Sequence, residues 1–153
     1  MKVRLLPRLD VQYPQLSAFL AAIPLVLLTG CSHDKEQAGA LLHAMEQFRA
    51  APDEGKLVKV ADLTGVTCST AEICDAKLEC LRWAEPTAKG LALKVQAQRT
   101  LAAIKNGNVG PNDPNVSSLP DSLDEASHLL DEGHTELQPC EQKLTELRIK
   151  YRL

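Results

Sequence analysis

Five cysteines and four histidines are the side chains of this 153-residue chain best suited to chemistry. Cys68, Cys74, Cys80 and Cys140 fall in one part of the chain, the first three spaced C-x5-C-x5-C. Structural zinc sites use shorter ligand spacings, and dithiol redox or haem attachment needs C-x-x-C or C-x-x-C-H, neither of which occurs. An even set of thiols therefore suits two disulfides, provided that the compartment is oxidising. His128 and Glu132 stand four apart and could offer two weak metal ligands, although such a pair is far more often solvated surface. No Ser/His/Asp set has motif context, no glycine-rich loop follows a strand, and no carboxylate pair stands out from the acidic surface. No catalytic residue, metal site or cofactor is expected, and the chain does not read as an enzyme.

The fifth cysteine stands apart. Leu28-Thr29-Gly30-Cys31 places an aliphatic residue at −3, small residues at −2 and −1, and then the thiol. Lys2, Arg4 and Arg8 form a basic stretch upstream, followed by an apolar run from Leu16 to Leu28. Together they have the layout of a secretory leader. The run is broken by Pro24 and falls short of the roughly 20 apolar residues that span a bilayer. The four residues resemble the lipobox of bacterial lipoproteins, over the first 31 residues only. That resemblance implies cleavage between Gly30 and Cys31, a diacylglycerol and acyl chains (palmitate) on Cys31, and membrane anchoring through the lipid. Several acyl chains hold firmly where one would bind only marginally. In Gram-negative lipoproteins Asp at +2 retains the protein in the inner membrane. Ser32 at that position implies transport to the outer membrane, facing the periplasm. The organisation expected is a signal peptide over 1–30, a lipidated tether over 31–34 and a helical domain over 35–153.

Removing residues 1–30 takes away three basic and one acidic group, lowering the formal net charge from −3 to −5. An acidic chain with no basic block does not suit nucleic acid. Beyond the leader only Phe48, Trp83 and Tyr151 are aromatic, too few for a base- or sugar-stacking platform. Ala, Leu, Glu and Lys dominate, which favours helices.

Three helices are legible. Ala38, Leu41, Met45 and Phe48 recur at three- and four-residue spacing, predicting a helix over 35–50 that Pro52 and Gly55 end. Residues 56–66 alternate weakly and read as a loop packed on the bundle. A second helix is expected over 70–106, opened by a Ser69/Glu72 capping box and kinked at Pro86. Its apolar stripe is Leu81, Ala84, Ala88, Leu91, Val95 and Ala102, interrupted by Gln98. The third helix, 121–151, carries the strongest signal. Leu123, Ala126, Leu130, Gly133, Leu137, Cys140, Leu144, Leu147 and Tyr151 form an unslipped heptad seam. A capping box at Ser122 and Glu125 would open this helix, and Pro139 should bend it. Gly133 either permits close helix approach or marks a break.

The Asn106–Ser118 loop is short enough to make the last two helices antiparallel neighbours. Charge agrees: Asp121, Asp124, Glu125, Asp131 and Glu132 would face Lys89, Lys94, Arg99 and Lys105, while Glu72, Asp75 and Glu79 would face Lys143, Arg148 and Lys150. The fold expected is all-α, a small three-helix bundle. Cys74 and Cys80 fall on different faces of one helix, so they should not pair. Cys68 can fold back onto Cys74, which leaves Cys80 for Cys140 across a hairpin centred on Gly110.

The closing Lys150-Tyr151-Arg152-Leu153 resembles the tail of murein lipoproteins, but the terminal residue is Leu153 and not the lysine that family joins to peptidoglycan. Two functions fit the whole. One is a lipid-anchored structural or protein-interaction module with an envelope partner. The alternative is a periplasm-facing carrier of a lipid or metal.

Overall fold

The computed structural model describes residues 23–153, with side chains from Ser32 onward. The basic stretch of the leader lies outside the described residues, as do the side chains of Leu28 to Cys31. Five α-helices follow in order: α1 (Ile23–Ala50), α2 (Lys56–Gly65), α3 (Ala71–Lys105), α4 (Pro114–Ser117) and α5 (Leu119–Tyr151), with a 3-10 turn at Asp53–Gly55. Among the described residues there is no strand. Residues 33–153 form one compact unit.

The expected stripes make the core. Ala38, Leu41, Met45 and Phe48 of α1 are all buried, against Ile73, Ala76, Cys80, Ala84 and Ala88 of α3 and Cys140, Leu144 and Leu147 of α5. Phe48 meets Trp83 edge to face, with ring centroids 5.2 Å apart. The architecture is the expected all-α bundle of three long helices, two of them an antiparallel hairpin. Matched positions run in opposite order along α3 and α5: Lys150 pairs with Glu72, Cys140 with Cys80, and Gly133 lies against Trp83 and Thr87.

Two glycines let these helices close up. A Cβ on Gly133 would strike the Thr87 hydroxyl and stand 3.3 Å from the Trp83 carbonyl oxygen. One on Gly90 would come within 2.9 Å of Leu130 and 3.0 Å of the Ala126 carbonyl oxygen. Gly133 is thus a contact point and not a break, and α3 and α5 run unbroken through Pro86 and Pro139. At the turn, Gly107 takes φ +70 and ends α3 in the left-handed conformation that glycine supplies.

Four local expectations need correcting. Residues 56–66 are not a loop but contain α2, whose single fully buried side chain is Leu63. The helix is set by tertiary bonds: Lys77 Nζ donates to the Thr64 and Val66 carbonyls at its end, and Lys56 Nζ donates to those of Phe48 and Arg49 at the end of α1. Residues 31–34, expected as a lipidated tether ahead of the first helix, lie within the continuous helix α1. The cap of α3 is Thr70, which accepts from the Ile73 amide, because Ser69 is engaged by α1. Helix α5 starts at Leu119, behind Ser118, so Ser122 lies inside the first turn instead of capping it.

Gln37 explains the engagement of Ser69. Its Oε1 accepts from both the amide and the hydroxyl of Ser69 at 2.7 and 2.8 Å, and its amide nitrogen meets His33 Nε2 at 2.8 Å. Asp34 accepts a further bond from the Ser69 hydroxyl. A buried amide with its oxygen and nitrogen both partnered ties the start of α3 to α1.

Candidate interaction surface

The predicted site residues fall into three groups. Cys68 is bonded to Cys74 and Cys80 to Cys140, with Cα–Cα distances of 5.2 and 4.6 Å. The first clasp holds the strand of chain entering α3 against its second turn. The second, fully buried, crosses the hairpin and closes a 60-residue separation. With every one of these thiols oxidised, none remains to ligate zinc. Gly30 and Cys31 lie within the helical backbone of α1, and their side chains are outside the described residues. His128 and Glu132 are both exposed. Among the described residues, no three His, Cys, Asp or Glu side chains converge as a metal site would require.

Charge pairing is sparser than the sequence suggests. Glu72–Lys150 is the one ion pair between α3 and α5 among the described residues. Its hydrogen bond holds the Lys150 ammonium above the usual lysine range, and hydrogen bonds from Gln142 and Lys143 hold Glu146 below the usual carboxylate range. Other cations serve α1 and the turn after it: Arg49 with Glu141, Arg148 with Glu46, Arg99 with Glu54. Lys89, Lys94 and Lys105 form no ion pair with the acids at the start of α5. Pairs this exposed orient helices more than they stabilise them.

The surface changes character along the hairpin. Leu144, Leu137, Leu130 and Leu123 repeat every seven residues on α5 and so share one face. Leu144 is fully buried under α1, Leu137 and Leu130 are half-buried, and Leu123 is 43% exposed. Opposite them on α3, Ala84 is buried, Leu91 half-buried, and Gln98 and Ala102 exposed, with Leu101 beside them 51% exposed. The gradient has a simple cause. Helix α1 ends at Ala50, where Arg49 reaches Glu141, and the chain then turns to α3, where Glu54 meets Arg99. Beyond that level the α3–α5 groove continues with an apolar floor and no third helix over it among the described residues. Sequence periodicity marked these leucines as core, because a heptad pattern does not say how far a neighbouring helix extends.

The opposite face of the hairpin differs. There Arg82, Glu85 and Lys89 face Leu129, Glu132 and Glu136 across an open groove of about 440 Å³ with mostly charged walls. Among the described residues no helix is long and apolar enough to cross a membrane. Family models, curated proteins and solved structures were all compared with this chain, and none matches it.

Proposed function

We propose that this chain is a lipid-anchored protein of the bacterial cell envelope, whose helical bundle serves as a structural and protein-interaction module. The observation that carries the reading is the division of labour among five cysteines. Four are consumed pairwise as disulfides, the state favoured in an exported protein, and the fifth is the thiol that the lipobox pattern reserves for lipid. Ser32 at +2 favours the outer membrane, facing the periplasm. The bundle adds the second half of the reading. It offers no convergent set of nucleophile, base or ligand side chains among the described residues, but it carries an apolar groove that its own helices leave half covered. Such a surface suits protein contact better than it suits a small ligand, which needs enclosure.

The test is the intact mass of detergent-extracted protein, before and after reduction with thiol alkylation. A chain beginning at Cys31, carrying lipid and gaining four alkyl groups only after reduction, is the expected result. An unlipidated chain that retains residues 1–30 would overturn the anchor, and four thiols alkylated without reduction would overturn the oxidised bundle.

A further inference from the structure

We infer that Cys68–Cys74 is a thiol-exchange site, which a dithiol opens in the folded protein while Cys80–Cys140 stays closed. The first observation is access. On the surface of α3 the helical neighbours of Cys74 are Ala71, three residues before it, and Leu78, four after it, and both are exposed. Cys68 is half-buried between exposed Thr67 and exposed Ser69. Cys80 and Cys140 are fully buried, and so are their helical neighbours Ala76, Ala84 and Leu144. Exchange requires a thiolate to reach a sulfur of the bridge. The folded chain gives it a path to the first bridge and none to the second.

The second observation is what stays in place when the bridge opens. Residues 66–70 join α2 to α3, and their hydrogen bonds do not run through the sulfurs. Gln37 Oε1 accepts from the Ser69 amide and hydroxyl, the Thr70 hydroxyl accepts from the Ile73 amide, and Lys77 Nζ donates to the Val66 carbonyl. The core beneath keeps Cys80–Cys140 and the long loop that it closes. Opening is therefore local: the linker loses its covalent hold on α3 and is left to these hydrogen bonds.

The third observation is the leaving group. Cys74 stands one turn into α3, its amide donating to the Thr70 carbonyl, and a helix start favours a thiolate. Lys77 brings a positive charge three residues on, while the acids nearest in sequence are Asp75 and Glu72, the latter engaged by Lys150. One thiolate of the dithiol attacks the Cys68 sulfur, the S–S bond breaks, and Cys74 departs with the electron pair. The second thiolate then attacks the mixed disulfide at the sulfur it came in on and expels Cys68. The dithiol ends as a disulfide, two electrons have passed to the protein, and both cysteines take up protons.

The experiment treats the full-length oxidised chain with graded dithiothreitol at neutral pH, any free Cys31 thiol having been blocked beforehand, and traps new thiols by alkylation. Peptide masses should show Cys68 and Cys74 trapped at least about tenfold faster than Cys80 and Cys140. Oxidised dithiothreitol added in place of the alkylating agent should restore the bridge. Hydrogen exchange on Cys68→Ser with Cys74→Ser, which stands in for the opened site, should be about tenfold faster at the amides of residues 66–74 and unchanged at those of residues 140–147. Both bridges opening together, Cys80–Cys140 opening first, resistance of both until the bundle unfolds, or failure to re-form would each overturn the inference. So would exchange that is unchanged at 66–74 or faster throughout α5. These readouts are the same with or without lipid on Cys31, so their failure leaves the anchor standing and loss of the anchor leaves them standing.

Discussion

The base and the far half of the hairpin are made of the same two helices, yet only one of them is a closed core. At the base, α1 packs with α3 and α5 and α2 lies against α3, Cys80 is bonded to Cys140, and the large side chains Leu41, Met45, Phe48, Leu144 and Leu147 are buried at or near completion. In the far half the seam narrows to small residues: Gly90, Ala97 and Ala126 are buried while Leu101, Ile104 and Leu123 show between 37% and 51% of their surface. The difference does not come from α5, whose apolar repeat is continuous, and on α3 only Gln98 interrupts the stripe. It comes from where α1 stops. A heptad repeat sets which face is apolar, and the neighbouring chain decides how much of that face leaves water.

The sharpest way to break the comparison is to remove what closes the base. Replacing Cys80 and Cys140 together by alanine should cost about 4 kcal/mol in chemical denaturation, from the freed loop of the unfolded chain. Cys68 and Cys74 replaced together should cost about 2 kcal/mol, because their loop is short. Within one heptad row, Leu144→Ala should lose about 3 kcal/mol and Leu123→Ala less than about 1 kcal/mol, a contrast that equal values would abolish. Gly133→Ala tests the close approach. A surface helical site would gain about 1 kcal/mol from this change, whereas the clash with Thr87 should make it a net loss of about 2 kcal/mol. Hydrogen exchange sharpens the picture without mutation: amides of residues 98–105 should exchange through local opening, and those of residues 76–84 only with global unfolding. The smallest effect is electrostatic. Lys150 is held charged by Glu72, so its contribution is present below the ordinary lysine pKa and is lost as pH rises through the elevated one. A melting curve taken above that range should fall slightly for the native chain, and less for Lys150→Met.

Much of this fold was legible because its signals are local or periodic. The three long helices, the hairpin and both disulfides follow from apolar spacing, loop chemistry and the faces on which the cysteines fall. What escaped was set by distant partners. Helix α2 buries only Leu63 fully and depends on Lys77 and Lys56, which no local pattern connects to it. Ser69 looked like a cap because Glu72 stands three residues on, but Gln37, 32 residues away, takes its hydroxyl. Salt bridges were paired between α3 and α5 by level along the helices, whereas Arg49, Arg148 and Arg99 turn to α1, α5 or the 3-10 turn as geometry allows. The open groove was hidden for the same reason: the leucines are plain in the sequence, and the length of the helix that covers them is not.

The order of the disulfides along the chain has a consequence for how the molecule is made. Cys68 joins Cys74 and Cys80 joins Cys140, so each cysteine of this set bonds to its neighbour in sequence and no bridge encloses part of another. A chain threading N-terminus first past a thiol oxidase meets the first pair complete before the third thiol arrives. The third then has to wait for α5, and oxidising nearest available neighbours in order of emergence reaches the native pattern. For the exported chain proposed above, oxidation in order of emergence reaches this pairing without an isomerase that reshuffles mismatched bonds.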